Sequence, residues 1–247
     1  MCETCGCAEP GAVHVHNHAH DHDHSRGGSE ERSLRESALA FNRRFADRNR
    51  GFFAGRGWSA TNFLSSPGSG KTTLLAELMR RMGNCAAVTG DLATDNDARR
   101  LRESGAPAVQ IETAGACHLD AHALGHAVER LPAAGIRHLF IENVGNLVCP
   151  ASFDLGENRR VVLLSVTEGE DKPEKYPVVF AKADAVVVSK TDLAAAVAYD
   201  REKALAAIRA AAPKAEVFLL SAKTGEGVEA FQRWLETAGD GQIAKGI

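Results

Sequence analysis

One glycine-rich segment constrains the fold of this chain more than any other. It reads SSPGSGKT (residues 65–72), follows the apolar run 61–64 and opens a helical pattern over 71–82. A loop of this kind between a strand and a helix is typical of nucleotide-binding domains, because its backbone N–H groups and the helix N-terminus hold phosphates. Lys71 is expected to reach the β- and γ-phosphates as a catalytic group. The predicted phosphate-binding residues are Gly68, Ser69, Gly70, Lys71, Thr72 and Thr73.

Beyond Gly57, short apolar runs alternate with helical patterns. This alternation predicts an α/β fold over residues 57–247, a three-layer P-loop NTPase domain with a mostly parallel sheet. Strands are predicted at 61–64, 86–89, 108–111, 138–141, 161–166, 185–188 and 217–220. Helices are predicted at 71–82, 95–103, 117–131, 200–211 and 228–237.

The first 56 residues have a different character. Residues 1–28 are rich in His, Asp, Gly and Cys, lack hydrophobic periodicity and predict a flexible, disordered metal-binding tail. Residues 29–56 are predicted as a helical segment, with Ser33 and Glu36 as a candidate capping box. The apolar stripe of this amphipathic helix, expected to pack on the following domain, is assigned to Leu34, Ala38, Phe41 and Phe45.

Composition argues against several classes of protein. A formal net charge of -3 provides no broad basic surface for nucleic acid or a membrane. No apolar run approaches the roughly 20 residues of a membrane-spanning helix, and the N-terminus does not resemble a signal peptide. A cytoplasmic location is therefore expected, where closely spaced cysteines are interpreted as metal ligands or redox groups.

Two carboxylates follow predicted strands. Asp91 and Glu142 stand at strand ends, where magnesium and the attacking water lie in nucleotide-binding sheets. Both are predicted as catalytic residues and, with Thr72, as magnesium ligands. Gly145 follows Glu142 by three residues, and its N–H is expected to sense the γ-phosphate.

Two further motifs predict selection of guanine. SKTD (residues 189–192) follows a strand and is similar to the NKxD signature of GTPases, with Ser in place of Asn. The Asp192 carboxylate can accept hydrogen bonds from the guanine N1–H and 2-amino group, which adenine lacks. SAK (residues 221–223) follows the last strand and matches the loop that offers an N–H to guanine O6. The predicted base-binding residues are Lys190, Asp192, Ser221, Ala222 and Lys223.

The tail carries two candidate metal sites. Cys2, Cys5 and Cys7 offer three thiolates, and removal of Met1 would add the terminal amine as a fourth donor, a set that suits square-planar nickel or tetrahedral zinc. A redox-active CxxC or unligated thiols are the competing interpretation. An alternating histidine tract predicts loose binding and storage of several metal ions, against the simpler interpretation of a solvated polar tail. The tract consists of His14, His16, His18, His20, His22 and His24.

A third candidate metal site lies within the globular part. Cys117 and His118 are predicted to start a helix, and His122 and His126 to continue the His118 face at i+4 and i+8. Cys149 follows Glu142 and Gly145 closely in sequence. Thiolate and imidazole from two nucleotide-adjacent segments can bind a metal whose geometry changes with the nucleotide. Ordinary buried cysteines are the alternative.

These motifs together resemble the HypB family of nickel-incorporation GTPases, part of the SIMIBI group of P-loop GTPases. The resemblance rests on CETCGC (2–7), SSPGSGKTTLL (65–75), residues 94–97 in the first switch region, the internal cysteines and SVTEGEDKPEKYP (165–177). It implies a metal site at Cys117, His118 and Cys149. The positions of His122 and His126 carry additional ligands in only some relatives.

The resemblance implies a GTP-hydrolysing nickel metallochaperone for nickel-iron hydrogenase maturation, using GTP, magnesium, nickel and zinc. Turnover is expected to be slow, because no Gln or Arg finger is evident. The implied partners are a second copy in a GTP-dependent homodimer, a HypA-type nickel chaperone and the hydrogenase large subunit precursor. A urease-type nickel GTPase and a nickel-storage protein with a regulatory nucleotide site are the alternatives.

Overall fold

The computed structural model describes residues 25–91, 96–113 and 115–243. All seven predicted strands are confirmed, with ends that differ from the predictions by at most two residues. The strands are β1 (Ser59–Ser65), β2 (Cys85–Asp91), β3 (Ala108–Glu112), β4 (His138–Glu142), β5 (Arg159–Ser165), β6 (Ala185–Ser189) and β7 (Glu216–Leu219). The helices are α1 (Ser25–Arg56), α2 (Lys71–Met82), α3 (Asn96–Arg102), α4 (Ala121–Val128), α5 (Lys172–Lys175), α6 (Pro177–Ala181), α7 (Arg201–Ala211) and α8 (Val228–Ile243).

The sheet is parallel throughout and has the order β3-β2-β4-β1-β5-β6-β7. The chain order reverses at β1, which lies between β4 and β5. Ligands of such sheets bind beyond the carboxyl ends of the strands, at the point of reversal. The register brings Glu142 of β4 beside Phe63 of β1 and Thr89 of β2. The loops that follow these strands therefore meet at one edge of the sheet.

Helices cover both faces of the sheet, as predicted. On one face Phe63 and Phe140 pack edge to face with ring centroids 5.5 Å apart, and Phe231 of α8 lies against Phe63. On the other face α1 and α4 pack on β2 and β4, with Phe53 of α1 buried. Strands covered on both faces need continuous apolar runs, which is why the sequence pattern predicted them correctly.

The long helix α1 is present, but the face that it packs on the domain differs in part from the prediction. It begins at Ser25, so residues 25–28, predicted as the end of the flexible tail, lie within it. Phe41 is 56% exposed, whereas Asn42 and Asn49 are buried. The predicted apolar stripe is wrong at Ala38 and Phe41, which are exposed, because two asparagines occupy much of the contact face, whereas Phe45 packs against the core as predicted. From residue 36 to the end of α1, where the side chains are described, the buried residues are Asn42, Ala46, Asn49 and Phe53.

The start of α4 also differs from the prediction. The Asp120 side chain accepts a hydrogen bond from Ala123 N at 2.8 Å, so the helix begins at Ala121. The expectation that Cys117 and His118 start the helix is wrong, since these two residues form a bend before Asp120. None of the helices in the described part of the chain combines the length and apolar composition that a bilayer crossing requires.

Candidate functional site

The phosphate-binding loop joins β1 to α2. Gly68 and Gly70 have φ angles of +73° and +93°, in the left-handed region that favours glycine. Lys71 opens α2, and its Nζ donates to Ser65 Oγ across 2.8 Å. Burial lowers the pKa of Lys71, while the nearby Glu142 carboxylate acts in the opposite direction. The usual pattern of such loops begins with glycine, and Ser65, which occupies that position here, holds the Lys71 side chain.

The segment that follows β5 braces this loop. Ser69 Oγ donates to Glu168 Oε1 at 2.7 Å, and Lys172 Nζ donates to Ser66 Oγ at 3.3 Å. Glu168 also completes a capping box with Ser165, which fixes the direction of its side chain. The sequence SVTEGEDKPEKYP thus contacts the phosphate-binding loop directly.

Glu142 lies beside the start of α2. Thr72 Oγ1 donates to Glu142 Oε1 at 2.7 Å, while Glu142 Oε2 is buried without a hydrogen-bond partner among the described residues. Burial raises the pKa of Glu142 to about 7, although Lys71 favours the charged form. Gly145 sits against the phosphate-binding loop, since a Cβ there would meet Pro67 Cα at 2.9 Å. A ligand bound in the phosphate-binding loop can therefore affect the position of the segment after β4.

A cavity of about 520 Å³ opens over the loop and the ends of β2 and β4. Asp91 lines it, as the sequence predicts for a strand-end carboxylate. Asp97 and Arg100 of α3, to which the sequence motifs assigned no individual role, line it as well. Further lining residues are Pro67, Gly68, Ser69, Gly70, Lys71, Thr72, Thr73, Gly90, Glu142, Asn143, Val144, Gly145 and Lys190.

The SKTD motif is hydrogen-bonded to the phosphate-binding loop. Ser189 Oγ donates to the Ser69 carbonyl at 2.7 Å, and Lys190 Nζ donates to the Gly68 carbonyl at 2.6 Å. Lys190 has a φ of 59°, unusual for a residue with a side chain. Ser189, which stands where GTPases usually carry Asn, thus joins the two loops through its hydroxyl group.

The second base-binding motif lies beside the first. Ser221 Oγ donates to Asp192 Oδ1 at 2.6 Å, and Thr191 N donates to the Leu220 carbonyl at 3.3 Å. The contact with Ser221 orients the Asp192 carboxylate. Ala222 and Lys223 lie in the turn that follows.

Three of the predicted metal ligands come together in space. Three ligand atoms, one each from Cys117, His118 and Cys149, lie within 4.8 Å of one another. The His118 ring packs on Phe153 with centroids 3.8 Å apart. Burial lowers the pKa of His118, which favours the neutral imidazole that binds metals. Two thiolates and an imidazole suit nickel, zinc or copper.

Asn143 connects this cluster to the nucleotide cavity. Its Oδ1 accepts hydrogen bonds from Leu119 N at 3.1 Å and Val144 N at 3.0 Å, and its Nδ2 donates to Asn62 Oδ1 at 3.4 Å. Leu119 follows His118, and Asn143 follows Glu142. The side chain therefore bridges the segment with the metal ligands and the segment with the buried carboxylate.

His122 and His126 lie apart from the three clustered ligands. They face each other on α4, with their Nε2 atoms 3.2 Å apart. Phe45 of α1 packs edge to face on His122, with ring centroids 4.6 Å apart. They form a separate imidazole pair, because the helix starts after His118 rather than before it.

The tail residues predicted to bind or store metal lie outside the described residues, as do residues 92–95 around the switch region. The tail residues are Cys2, Cys5, Cys7, His14, His16, His18, His20, His22 and His24.

Comparisons with known proteins relate this chain to one family. Residues 59–218 match the family model described as the CobW/HypB/UreG nucleotide-binding domain. The hydrogenase maturation factor HypB of Escherichia coli K12 is 50% identical over 216 residues, which cover 85% of this chain and 74% of that protein. The chain belongs to the HypB family.

Solved structures of HypB proteins have the same fold. HypB from Helicobacter pylori, determined in complex with nickel, has a TM-score of 0.79 at 39% identity, over 82% of this chain and 96% of that one. HypB from Archaeoglobus fulgidus has a TM-score of 0.76 at 41% identity, over 81% and 100%. HypB proteins are SIMIBI-class P-loop GTPases, which accounts for the phosphate-binding loop and the guanine motifs found here.

Sequence reasoning missed several polar residues of this HypB site. Glu168 and Lys172 occur in a segment that contributed only its resemblance to the family, with no role given to either. Asn143 was hidden inside the run between Glu142 and Gly145. A polar residue directly after a strand-end carboxylate was the available signal, because an interior amide must be hydrogen-bonded.

Proposed function

We propose that this protein is a GTP-hydrolysing nickel metallochaperone that acts in the maturation of nickel-iron hydrogenase. The observation that carries the proposal is the direct connection between two sites. Residues 142–149 run from the buried carboxylate to Cys149, and Asn143 is bonded to the segment that holds Cys117 and His118. A change at the γ-phosphate position can therefore alter the spacing of the nickel ligands.

GTP is the proposed nucleotide. In this proposal the Asp192 carboxylate, which Ser221 orients, accepts hydrogen bonds from guanine. The alkyl part of the Lys190 side chain would lie along the base. Lys71 would leave Ser65 to bind the β- and γ-phosphates, and the Gly145 N–H would contact the γ-phosphate. Asp91 would orient the attacking water or hold magnesium through a water molecule.

Magnesium is the resident cofactor implied by this loop, and the residues fit it. Glu142 Oε2 is a buried oxygen without a hydrogen-bond partner among the described residues, and Thr72 Oγ1 lies beside the other carboxylate oxygen. Hard cations take such oxygen ligands. The ion would neutralise charge that develops on the phosphates, held by Thr72, Glu142 and Asp91.

Nickel is the proposed cargo. In this scheme the tail thiolates of Cys2, Cys5 and Cys7 load nickel, and the internal cluster takes it up and releases it according to the nucleotide. Zinc satisfies the same donors and is the competing occupant of the internal cluster.

The His122–His126 pair is proposed as an accessory ligand pair. A HypA-type chaperone or the hydrogenase large subunit precursor would receive the metal. The Escherichia coli relative, which is 50% identical, is a hydrogenase maturation factor, and this similarity supports hydrogenase maturation over urease maturation.

A GTP-dependent homodimer is part of the proposal. The loop after Asp192 reads LAAAVAY, and Leu193 and Val197 are 37% and 45% exposed. Exposed apolar side chains beside a nucleotide site are typical of protein interfaces. This loop is therefore the surface we expect a second copy to cover when GTP is bound.

Two variants test the separation of hydrolysis from metal loading. Lys71→Ala is expected to reduce GTP hydrolysis by about a hundredfold or more and to leave nickel binding by the tail unchanged, since the lysine acts only on phosphates. Deletion of residues 13–24 removes six histidines and tests storage by the tail, which predicts a large loss of bound nickel with hydrolysis unchanged. Phosphate release and metal analysis measure both.

Two results would count against the proposed function. Equal loss of nickel and hydrolysis in Lys71→Ala would contradict the two-module mechanism. Nickel content that does not respond to a non-hydrolysable GTP analogue in the full chain would favour storage, for which the six tail histidines are the specific observation.

A further inference from the structure

Two buried asparagines of α1 span the two segments that carry the internal metal ligands. Asn42 and Asn49 lie seven residues apart and thus on one face of the helix. They are 5% and 2% exposed. A helix that only needed to pack on the domain would place apolar side chains there, because a buried amide is costly unless each polar group is hydrogen-bonded.

The first segment that they hold follows Cys117 and His118. Asn42 Oδ1 accepts a hydrogen bond from Ala121 N at 2.8 Å, and Asn49 Nδ2 donates to the Ala121 carbonyl at 2.7 Å. Both backbone polar groups of Ala121 are therefore bonded to α1. Ala121 lies three residues beyond His118 and is the first residue of α4.

The second segment, residues 154 and 155, lies shortly after Cys149 in the chain. Asn42 Nδ2 donates to the Asp154 carbonyl at 2.7 Å, and Asn49 Nδ2 also donates to the Leu155 carbonyl at 3.1 Å. Phe153, which supports the His118 ring, immediately precedes these residues. Each asparagine thus links the Cys117–His118 side of the cluster to the Cys149 side.

Close packing keeps α1 in this place. A Cβ on Gly156 would lie 2.4 Å from the Ala46 carbonyl oxygen, and one on Gly125 would lie 2.9 Å from Asn49 Oδ1. The helix is wedged between α4 and the loop after Cys149, with little room to slide. Directional amide bonds in a tightly packed site define positions more sharply than apolar contacts do.

We propose that Asn42 and Asn49 are positioning residues that set the separation between Cys117 and His118 on one side and Cys149 on the other. The proposal rests on the metal-binding function proposed above. Neither asparagine belongs to the three-residue ligand cluster, so each acts through the backbone of residues 121, 154 and 155. Residues that orient ligands from outside the cluster typically change metal affinity by about 10- to 100-fold when replaced.

Isosteric variants separate the two links. Asn42→Asp keeps the acceptor for Ala121 N and turns an oxygen towards the Asp154 carbonyl, so it breaks only the link to the Cys149 side. Asn49→Asp loses both donated bonds. Phe53→Leu is the matched control, because it weakens the packing of α1 in the core and leaves both asparagines in place.

The experiment uses the full chain with Cys2, Cys5 and Cys7 replaced by alanine, titrated with Ni²⁺. Thiolate-to-nickel charge-transfer absorption then reports Cys117 and Cys149, because imidazoles give no such band. Burial raises the pKa of the Cys85 thiol to about 12, so this buried cysteine stays protonated. Competition with a chelator gives the Ni²⁺ affinity. GDP affinity and the melting temperature show whether the nucleotide site and the fold are intact.

Each aspartate variant is expected to have a Ni²⁺ affinity at least about tenfold lower than that of the parent, with unchanged GDP affinity. Phe53→Leu is expected to lower the melting temperature and to keep the Ni²⁺ affinity within about twofold. Unchanged Ni²⁺ affinity in both aspartate variants, or an equal loss in Phe53→Leu, would overturn the positioning role. If Asn49→Asp does not fold, Asn42→Asp decides alone. A parent chain without the charge-transfer band would instead refute the metal site itself.

Discussion

Among single residues, Glu142 is the side chain whose chemistry depends most on its surroundings. It is 3% exposed and shares a buried site with Lys71 and Thr72. Its strand-end position was evident from the sequence, because it is a carboxylate directly after an apolar run. Its burial was not, since the elements that surround it, α2 and α3, are distant in the chain.

Replacement of Glu142 by glutamine should change how stability depends on pH. Burial raises the pKa of Glu142 from 4.5 to about 7 in the folded state, so the folded protein holds this proton more tightly than the unfolded chain does. The stability of the ligand-free parent should therefore fall relative to that of Glu142→Gln as pH rises from about 4 to about 7.5, then stay level. Urea unfolding at several pH values, without nucleotide or magnesium, measures the difference. Parallel profiles would contradict the raised pKa.

At the level of secondary structure elements, the sequence predicted the strands better than the helices. A strand buried on both faces needs an uninterrupted apolar run, and the runs that end at Ile141 and Val188 are examples. The face of α1 was not predictable by hydrophobic periodicity, because asparagines fill part of it. The start of α4 depended on Asp120, whose capping role was not distinguished from that of an ordinary surface acid.

Asp120 offers a direct test of where α4 begins. Loss of its side-chain hydrogen bond to Ala123 N in Asp120→Ala should lower the free energy of unfolding by about 1 kcal/mol. Asp120→Asn keeps an acceptor oxygen and should change the free energy of unfolding by much less than Asp120→Ala does. Chemical denaturation of both variants checks this. Equal stabilities of Asp120→Ala and the parent would place the helix start elsewhere.

At the level of the whole molecule, the class of fold and the nucleotide site followed from motifs of local sequence, whereas the relation between the sites did not. Cys117 and Cys149 belong to segments on either side of β4 in the chain, and their convergence depends on β4 lying between β2 and β1. Hydrogen bonds of the Asn143, Asn42 and Asn49 side chains link segments that are distant in sequence. Local sequence patterns therefore could not predict them.

Self-association is the prediction at this scale. In gel filtration with a non-hydrolysable GTP analogue and magnesium, the parent should elute as a dimer, whereas the double variant Leu193→Asp/Val197→Asp should remain monomeric, because charges in an apolar interface are costly. Ala210→Asp, on the exposed surface of α7, is the control and should dimerise normally. Dimerisation of the double variant would exclude this loop as the interface.

The central position of β4 has a consequence for folding. The segments with Cys117 and Cys149 lead into and out of this strand, which must pair with β2 and β1 before their ends are fixed. In the folded structure the pairing of β4 brings these two thiols together, so the cluster depends on the middle of the sheet. If the internal cluster binds a metal ion as proposed, that binding is expected to follow assembly of the centre of the sheet and to report that it has formed.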